Sequence, residues 1–339
     1  MDLDSTAMQA ALAAAARGPE ADPNPRVGCV IVDAAGLIVG VGHHRGAGTA
    51  HAEVDALDEA GELARGGTAY VTLEPCDHVG RTGPCTQALI DAGIAAVRYA
   101  VPDPDPIAGG GAARLSAHGI DVRHGLLGEA AEGLNRTWLH ARRTGRPFVT
   151  WKFAATLDGR SAAADGASRW ITGLAARRDV HALRARCGAV VIGTGTALAD
   201  DPALTVRTPD GSSADRQPLR VVVGSRPLPD AAQLRDAAAP TLMLDTHDPE
   251  DVMARLIDRG IHHVLLEGGP RLAGAFWRAG LIDEVRAYLA PALLGAGPSA
   301  VTDLGIATMA DIARLRITDV AVLGQDVRIT GRPNPTTKE

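Results

Sequence analysis

Three side chains far apart in the sequence must meet at one point if this chain holds a metal ion. They are His51, in the run His51-Ala52-Glu53, and two cysteines that each follow a proline, Pro75-Cys76 and Pro84-Cys85. One imidazole and two thiolates suit zinc, and three protein ligands leave the fourth tetrahedral position for water. Local signals put His51 at the start of one helix, Cys76 after a strand end and Cys85 at the start of another helix. Helix N-termini favour thiolates through their partial positive charge. Bound zinc lowers the pKa of its water toward neutrality and makes a hydroxide nucleophile. Glu53, two residues from the first ligand, is placed to carry protons from that water to a leaving amine, the division of labour of zinc deaminases. A lone His-x-Glu is more often a solvated helix face, and two cysteines can be unrelated core residues. The two prolines and the strand-then-helix context argue against both. A structural zinc is the main rival. It needs a fourth protein ligand, for which His78 is the nearby spare, and it leaves Glu53 without a role.

The rest of the first half supplies a scaffold. Residues 6–17 are Ala-rich and stop at Gly18-Pro19, a helix signal. Residues 27–33 and 37–42 are apolar runs joined by a Gly-containing turn, a hairpin. Helices follow at 51–60, 85–92, 111–118 and 129–142, strands at 68–73, 95–100 and near Val122, and a loop at 102–111 that is dense in Pro, Gly and Asp. A break near Thr144-Gly145-Arg146-Pro147 opens a second series. Its strands lie at 148–154, 189–193, 219–223, 241–245, 263–267 and 284–289, with helices at 175–186, 249–259 and 270–279. A terminal hairpin of 320–323 and 327–330 turns at Gly324-Gln325-Asp326. Two α/β domains result, 1–145 and 146–331, with a frayed tail at 332–339.

Composition narrows the partners. The net charge is −6 and no Lys/Arg cluster makes a basic face, which argues against a nucleic-acid binder and for small-molecule substrates. The run Arg142-Arg143-Thr144-Gly145-Arg146 reads as a solvated inter-domain segment. No apolar stretch approaches the length of a membrane span, and the first residues lack a basic secretory n-region, so the expected location is cytoplasmic. Cys29 and Cys187 sit in apolar runs and read as buried small hydrophobes. Of 34 basic residues only Lys152 and Lys338 are lysines, which singles out Lys152.

The second domain carries a weaker physical signal. A strand ending at Glu267, then Gly268-Gly269, then a helix opened by Pro270 makes an anion cradle, although such a turn is often only a turn. Gly193-x-Gly195 lacks the third glycine of a Rossmann fingerprint, because Leu198 stands there.

The motifs together resemble the bifunctional deaminase–reductase family of riboflavin biosynthesis. They are Pro23-Asn24-Pro25-Arg26-Val27-Gly28, Gly48-Thr49-Ala50-His51-Ala52-Glu53-Val54, and the long loop from Thr72-Leu73-Glu74-Pro75-Cys76 to Gly83-Pro84-Cys85. In the second half they are Thr156-Leu157-Asp158-Gly159-Arg160, Ser168-Arg169-Trp170, the run from Gly193 to Arg207, and Glu267-Gly268-Gly269-Pro270. Eight residues between the cysteines depart from nucleoside and tRNA deaminases. Gly83, Gly109-Gly110-Gly111 and Gly224 depart from the family's own pattern, which often has Pro, Gly-Arg-Gly and Asp there.

The resemblance implies a cytidine-deaminase-like α/β/α domain followed by a dihydrofolate-reductase-like α/β domain. It implies zinc in the first and NADPH in the second, with a pyrimidine ribotide as substrate and a homo-oligomer as the assembly. The reaction it implies is deamination of 2,5-diamino-6-ribosylamino-4(3H)-pyrimidinone 5′-phosphate, then reduction of its ribosyl group to ribityl. By the same resemblance Asn24 bonds the pyrimidine, and His43, His44, His78 and Arg81 are candidates for the sugar phosphate. Ala155, Trp170, Thr196, Asp200, Ser225 and the turn Gly268, Gly269, Pro270, Arg271, Leu272, Ala273 and Gly274 take NADP. Lys152, Ser168, Arg184, Leu204, Arg207 and Glu267 hold the ribotide. Arg184 could equally be a surface charge, and Asp200-Asp201-Pro202 a capping turn. Three alternatives stand beside this reading: a tRNA or nucleoside deaminase with a structural tail domain, a nucleotide-binding regulator with a dead catalytic half, and a chain in which only one half is active.

Overall fold

The computed structural model describes residues 2–78 and 83–334, so Arg81 and the end of the expected tail lie outside the described residues. The chain divides into two compact units, Met1–Gly145 and Arg146–Glu339.

The first unit runs α1 (Leu3–Ala15), β1 (Gly28–Val32), β2 (Ile38–His43), α2 (Ala52–Ala60), β3 (Thr68–Leu73), α3 (Cys85–Asp91), β4 (Ala96–Val101), α4 (Gly111–Ala117), β5 (Asp121–His124), α5 (Gly128–Leu134) and α6 (Arg136–Thr144). Its sheet has the order β2-β1-β3-β4-β5. The first three strands are antiparallel, while β3, β4 and β5 are parallel. Every residue of β1 is buried, because successive side chains serve opposite faces. Cys29 and Ile31 pack with Ala52 and Ala56 of α2 and Leu89 of α3. Val30 and Val32 pack with Ala7, Met8 and Ala11 of α1 and with Trp138. Small residues bring these layers close. A Cβ at Gly42 would lie 2.2 Å from the Ala52 carbonyl, so β2 presses directly on the end of α2 that follows His51.

The expected single helix at 129–142 is two. Asn135 interrupts it with φ −109° and ψ 19°, because its side chain accepts from the Arg26 N–H and donates to the Arg26 carbonyl, both at 2.8 Å. A tertiary bond here overrides helix propensity.

The second unit runs β6 (Phe148–Thr156), α7 (Leu174–Ala185), β7 (Ala189–Gly193), α8 (Thr194–Asp200), β8 (Leu219–Val223), β9 (Thr241–Leu244), α9 (Pro249–Ile257), β10 (His263–Leu266), α10 (Pro270–Arg278), β11 (Glu284–Ala290), β12 (Leu315–Leu323) and β13 (Asp326–Pro333). The eight strands lie in the order β12-β13-β11-β6-β10-β7-β8-β9. All pairs are parallel except those made by β13. Val149, Trp151, Val264 and Leu266 pack under α9 and α10 through Val252, Leu256 and Phe276. Val190, Ile192 and Leu265 face the other way, onto Leu183 of α7 and Ala197 of α8. Both faces of the central strands are thus buried, as a parallel sheet requires.

Strand β13 continues to Pro333, inside the segment read as tail. Asp201 stands at the C-terminal end of α8 in a left-handed conformation, φ 39°. The Asp200-Asp201 turn therefore ends a helix rather than starting one. Arg146 is not simply solvated, since its guanidinium bonds both Asp283 oxygens at 2.7 Å.

Candidate functional site

In the first unit the N-cap of α2 is His51, in extended backbone and with no capping bond from its side chain. The imidazole is therefore free to turn inward. Cys76 lies just beyond the end of β3, and Cys85 is the first residue of α3, opened by Pro84. His51 Nδ1 is 3.2 Å from Cys85 Sγ and 3.5 Å from Cys76 Sγ, and all three ligand atoms lie within 4.8 Å of one another. A tetrahedral zinc with bonds of about 2.3 Å to sulfur and 2.0–2.1 Å to nitrogen has N–S edges of about 3.6 Å. The donor set and its spacing fit that ion. His78 is not part of the cluster, so a four-ligand structural site finds no fourth ligand among the described residues.

Charge in this pocket is arranged around the sulfurs. The Cys85 thiol, followed by His51, holds Cys76 down at about 4. The bond to Cys76 and burial push Cys85 up, so without a cation the pair keeps one proton. Metal coordination removes that asymmetry, because a ligating thiol is deprotonated outright. Glu53 is 4% exposed, and burial first, then the Cys76 charge, raises its carboxyl to about 7.

Asn24 reaches the same pocket through His44, whose ring meets that of His51 edge-on at 5.4 Å. His44 Nδ1 lies 3.0 Å from the Ala50 carbonyl and Nε2 lies 3.1 Å from Asn24 Nδ2. The carbonyl can only accept. In neutral His44, Nδ1 therefore carries the proton and Nε2 accepts from the Asn24 amide. Asn24 Oδ1 takes no part in that contact. His43, by contrast, lies 2.9 Å from Arg17 Nη2 and faces Asp55.

In the second unit the structure brings together residues from β6, α7 and the end of β10. Arg184 donates to both Glu267 oxygens, at 2.6 and 3.0 Å, and to the Thr205 carbonyl at 3.1 Å. It is a partly buried buttress, its side chain 15% exposed, rather than a surface charge, and three of its five N–H groups are engaged. Lys152 Nζ stands 4.0 Å from Glu267 Oε2 and 5.8 Å from the Tyr288 ring centre. Burial lowers its pKa, and Glu267 opposes that shift. Burial would raise Glu267, but Arg184 and then Lys152 outweigh it and hold the carboxyl at about 2.

The cradle beyond β10 is built as its sequence suggests. Gly269 is the N-cap of α10, Pro270 follows it, and the Gly269 N–H donates to Thr196 Oγ1 at 3.0 Å. Ala273 and Gly274 are turned into the packing face of α10. A Cβ at Gly274 would lie 2.7 Å from the Asp303 carbonyl, so only the stretch from Gly268 to Leu272 lies open. Trp170 is 70% exposed, with the Arg177 guanidinium 4.2 Å over its ring. Ser168 Oγ is 3.5 Å from Asp200 Oδ1. Leu204 is buried, and the Arg207 N–H donates to His181 Nδ1 at 3.2 Å. Ser225 is exposed beyond β8, and Ala155 is buried within β6.

Comparison with known proteins agrees with both halves. Residues 1–101 match the cytidine and deoxycytidylate deaminase zinc-binding region, and residues 147–329 match the RibD C-terminal domain. The riboflavin biosynthesis protein RibD of Mycobacterium tuberculosis H37Rv is 54% identical over 309 residues, 91% of each chain. That of Escherichia coli K12 is 43% identical over 96% of this chain and 98% of its own. The chain belongs to the RibD family. Among solved structures, Acinetobacter baumannii RibD superposes with a TM-score of 0.90 at 40% identity, covering 98% of this chain and 99% of that one. The Thermotoga maritima protein, described as a diaminohydroxyphosphoribosylaminopyrimidine deaminase/5-amino-6-(5-phosphoribosylamino)uracil reductase, gives 0.88 at 32% identity, with 98% and 99% covered. The fold is that of RibD: a cytidine-deaminase-like domain followed by a dihydrofolate-reductase-like one. RibD proteins are bifunctional deaminase–reductases of riboflavin biosynthesis, with a zinc-binding half and an NADPH-using half.

The departures from the RibD pattern now have physical readings. A Cβ at Gly111 would lie 1.8 Å from the Pro75 carbonyl, and one at Gly109 would lie 3.1 Å from two carbonyls. Gly110, where the family often has Arg, meets nothing within 4 Å. Its backbone is nevertheless left-handed, at φ +94°, a conformation that suits glycine and strains any other residue. Gly224 has φ +120°, and a Cβ there would lie 2.8 Å from Thr194 Oγ1. Glycine suits that backbone and leaves Ser225 to follow it. Gly83 also has open space around it. The sequence reading missed the chain Tyr288–Asp179–Arg328, in which Asp179 accepts from the tyrosine hydroxyl at 2.6 Å and from Arg328 at 2.7 and 2.8 Å.

The Glu267 cluster makes a pH-dependent contribution whose sign is set. Its pKa is about 2 when folded, against 4.5 for an unperturbed glutamate, so its ionised form stabilises the fold above pH 4.5 and that stability is lost as pH falls toward 2. Glu267→Gln removes the carboxylate charge that faces Arg184 and Lys152 and is expected to cost about 3 kcal/mol at pH 7 in denaturant unfolding. The gap to the parent protein should narrow below pH 4.5; a constant gap down to pH 3 would contradict the pairing.

Proposed function

We propose that the first unit deaminates 2,5-diamino-6-ribosylamino-4(3H)-pyrimidinone 5′-phosphate at a centre made by His51, Cys76, Cys85 and Glu53. In this reading the second unit reduces the deaminated ribosyl group at the cleft formed by Lys152, Glu267 and the Gly268–Leu272 turn. The observation that carries this reading is the convergence of one imidazole and two thiols beside a buried carboxyl. His51, Cys76 and Cys85 would hold zinc, which when bound supplies Lewis acidity and brings the pKa of the hydrolytic water into the neutral range. Glu53 takes a proton from that water and returns it to the departing amine. Asn24, oriented by His44, accepts from the pyrimidine through Oδ1. The product is the uracil ribotide, with ammonia released.

In the second unit NADPH supplies the hydride, and the protein positions the sugar. The Gly268–Leu272 turn and the Thr196 side chain, which already accepts from the Gly269 N–H, form the phosphate end of the cofactor site, with the Arg271 N–H left to donate. Trp170, Asp200, Ala155 and Ser225 line the remainder. Lys152 approaches the ribotide as a donor held by Glu267, while Arg184, with two N–H groups free, fixes the orientation of that carboxylate. Ser168, Leu204 and Arg207 complete the substrate side. Four free cysteines accord with a cytoplasmic location, where disulfides are rare. No helix of the described residues is long and apolar enough to cross a membrane.

Self-association fits the outer strand. A bulge between Ile317 and Asp319 keeps Leu315, Ile317, Val320 and Val322 on one face, and these four are between 37% and 73% exposed. The stripe amounts to roughly 400 Å² of apolar surface, within the range of the largest patch on an ordinary monomer, which is often functional. A second copy of the chain covers it about a two-fold axis. Val322→Glu is expected to lower the sedimentation coefficient toward that of a monomer, and an unchanged assembly would place the interface elsewhere.

The catalytic assignment is tested on ammonia release. Glu53→Gln should slow deamination at least about 100-fold, yet still oxidise NADPH when given the deaminated ribotide. Ammonia release at the parent rate would remove Glu53 from the mechanism.

A further inference from the structure

Cys76 and Cys85 are nine positions apart in the chain, and a metal centre works only if the two keep their distance. Backbone supplies one tie: the Thr86 N–H donates to the Cys76 carbonyl at 3.2 Å. The others are side chains of the residues that follow each cysteine. Thr86 Oγ1 donates to Asp77 Oδ1 at 2.7 Å. From α4, Arg114 Nη1 donates to the same Asp77 oxygen at 2.6 Å, and its Nη2 donates to Gln87 Oε1 at 2.6 Å. One planar guanidinium thus grips the loop beside Cys76 and the helix that Cys85 opens. A planar fork of fixed geometry does this where a point charge cannot.

The helix that presents Arg114 is itself seated on the segment before Cys76. Glu74 Oε1 accepts from the Ala112 N–H at 3.0 Å, and Oε2 accepts from the Asp103 N–H at 3.2 Å. Gly111 lies so close to the Pro75 carbonyl that no side chain fits between them. Residues 74, 75 and 77 therefore each contact α4 or its approach, and the position of Arg114 is fixed relative to Cys76 before it reaches Gln87.

We propose that Arg114 is a positioning residue of the metal centre, setting the spacing of Cys76 and Cys85 through Asp77 and Gln87 and so controlling how long zinc is retained. The inference rests on His51, Cys76 and Cys85 being the zinc ligands. Arg114 and Asp77 are 32% and 25% exposed, so the ion pair itself adds little to global stability. Partners behind the ligands nevertheless change metal affinity about 10–100-fold in other sites. A positioning role and a merely structural one therefore separate: the first moves zinc retention with little change in melting, whereas the second moves melting.

The test is zinc release from the full-length holoprotein to a chromogenic chelator, with thermal melting and NADPH oxidation on the deaminated ribotide measured alongside. Arg114→Ala and Asp77→Ala are each expected to speed release about 10–100-fold, with the double variant no faster than the faster single. Melting and NADPH oxidation should stay near the parent values. Arg114→Lys keeps the contact to Asp77 but loses the fork, and should fall between parent and alanine variant. If Arg114→Ala does not fold, Gln87→Ala removes one arm of the fork and should still speed release several-fold. Release within twofold of the parent in every variant, or additive effects in the double variant, would overturn the proposal. Cys85→Ser serves as the control on the ligands. Zinc retention equal to the parent there would overturn the ligand assignment, and the proposal with it.

Discussion

Two thiols and an imidazole packed within 4.8 Å make a costly arrangement unless a cation sits among them, and much of the first unit can be read as the means of forcing them together. With no cation present, the bond between the two thiols draws Cys76 down and pushes Cys85 up, and Glu53 is buried beside them. Such a pocket persists only when the surrounding backbone is over-determined. Glycines at 42 and 111 let helices approach to distances that a Cβ would block, and alanines on α1 and α2 keep the layers thin. The loss is conformational entropy and apolar area at those positions. The gain is placement of three ligands that arise from a helix start, a strand end and another helix start.

The second unit solves a different problem with the same economy. Its cluster is ionic rather than thiolate. Glu267 stays charged in a buried place because Arg184 and Lys152 face it. Pairs of this kind add little net stability compared with apolar packing, but breaking one is expensive. Their use is to fix where a lysine in the middle of β6 stands relative to a carboxylate at the C-terminal end of β10, the edge where α/β sheets bind ligands. Arg220 plays a comparable part for the loops beyond β8. It is fully buried in that strand and bonds Asp236 together with the Ala203, Gln233 and Ala239 carbonyls.

Local signals in the sequence reached as far as local causes. Strands β3, β7 and β8 follow from apolar runs of the right length, and the start of α3 at Cys85 follows from Pro84. The gap in the helical run at Asn135 was not legible, because its cause is a bond to Arg26, 109 residues away. Helix α8 was obscured by Thr and Gly in Thr194–Asp200, poor helix formers that packing overrides. The ligands were legible because zinc chemistry demands particular residue types at particular places. The residues behind them were not. Asp77 and Arg114 are ordinary surface types, and only the fold shows that they meet.

The account stands or falls on what binds at the first site. X-ray absorption at the zinc edge of the full-length protein measures it directly. Two sulfur neighbours at about 2.3 Å, one imidazole nitrogen at about 2.0–2.1 Å and one further light atom are the predicted shell. A shell without sulfur, or one with sulfur in all four positions, would contradict the His51, Cys76 and Cys85 centre and the deaminase chemistry derived from it.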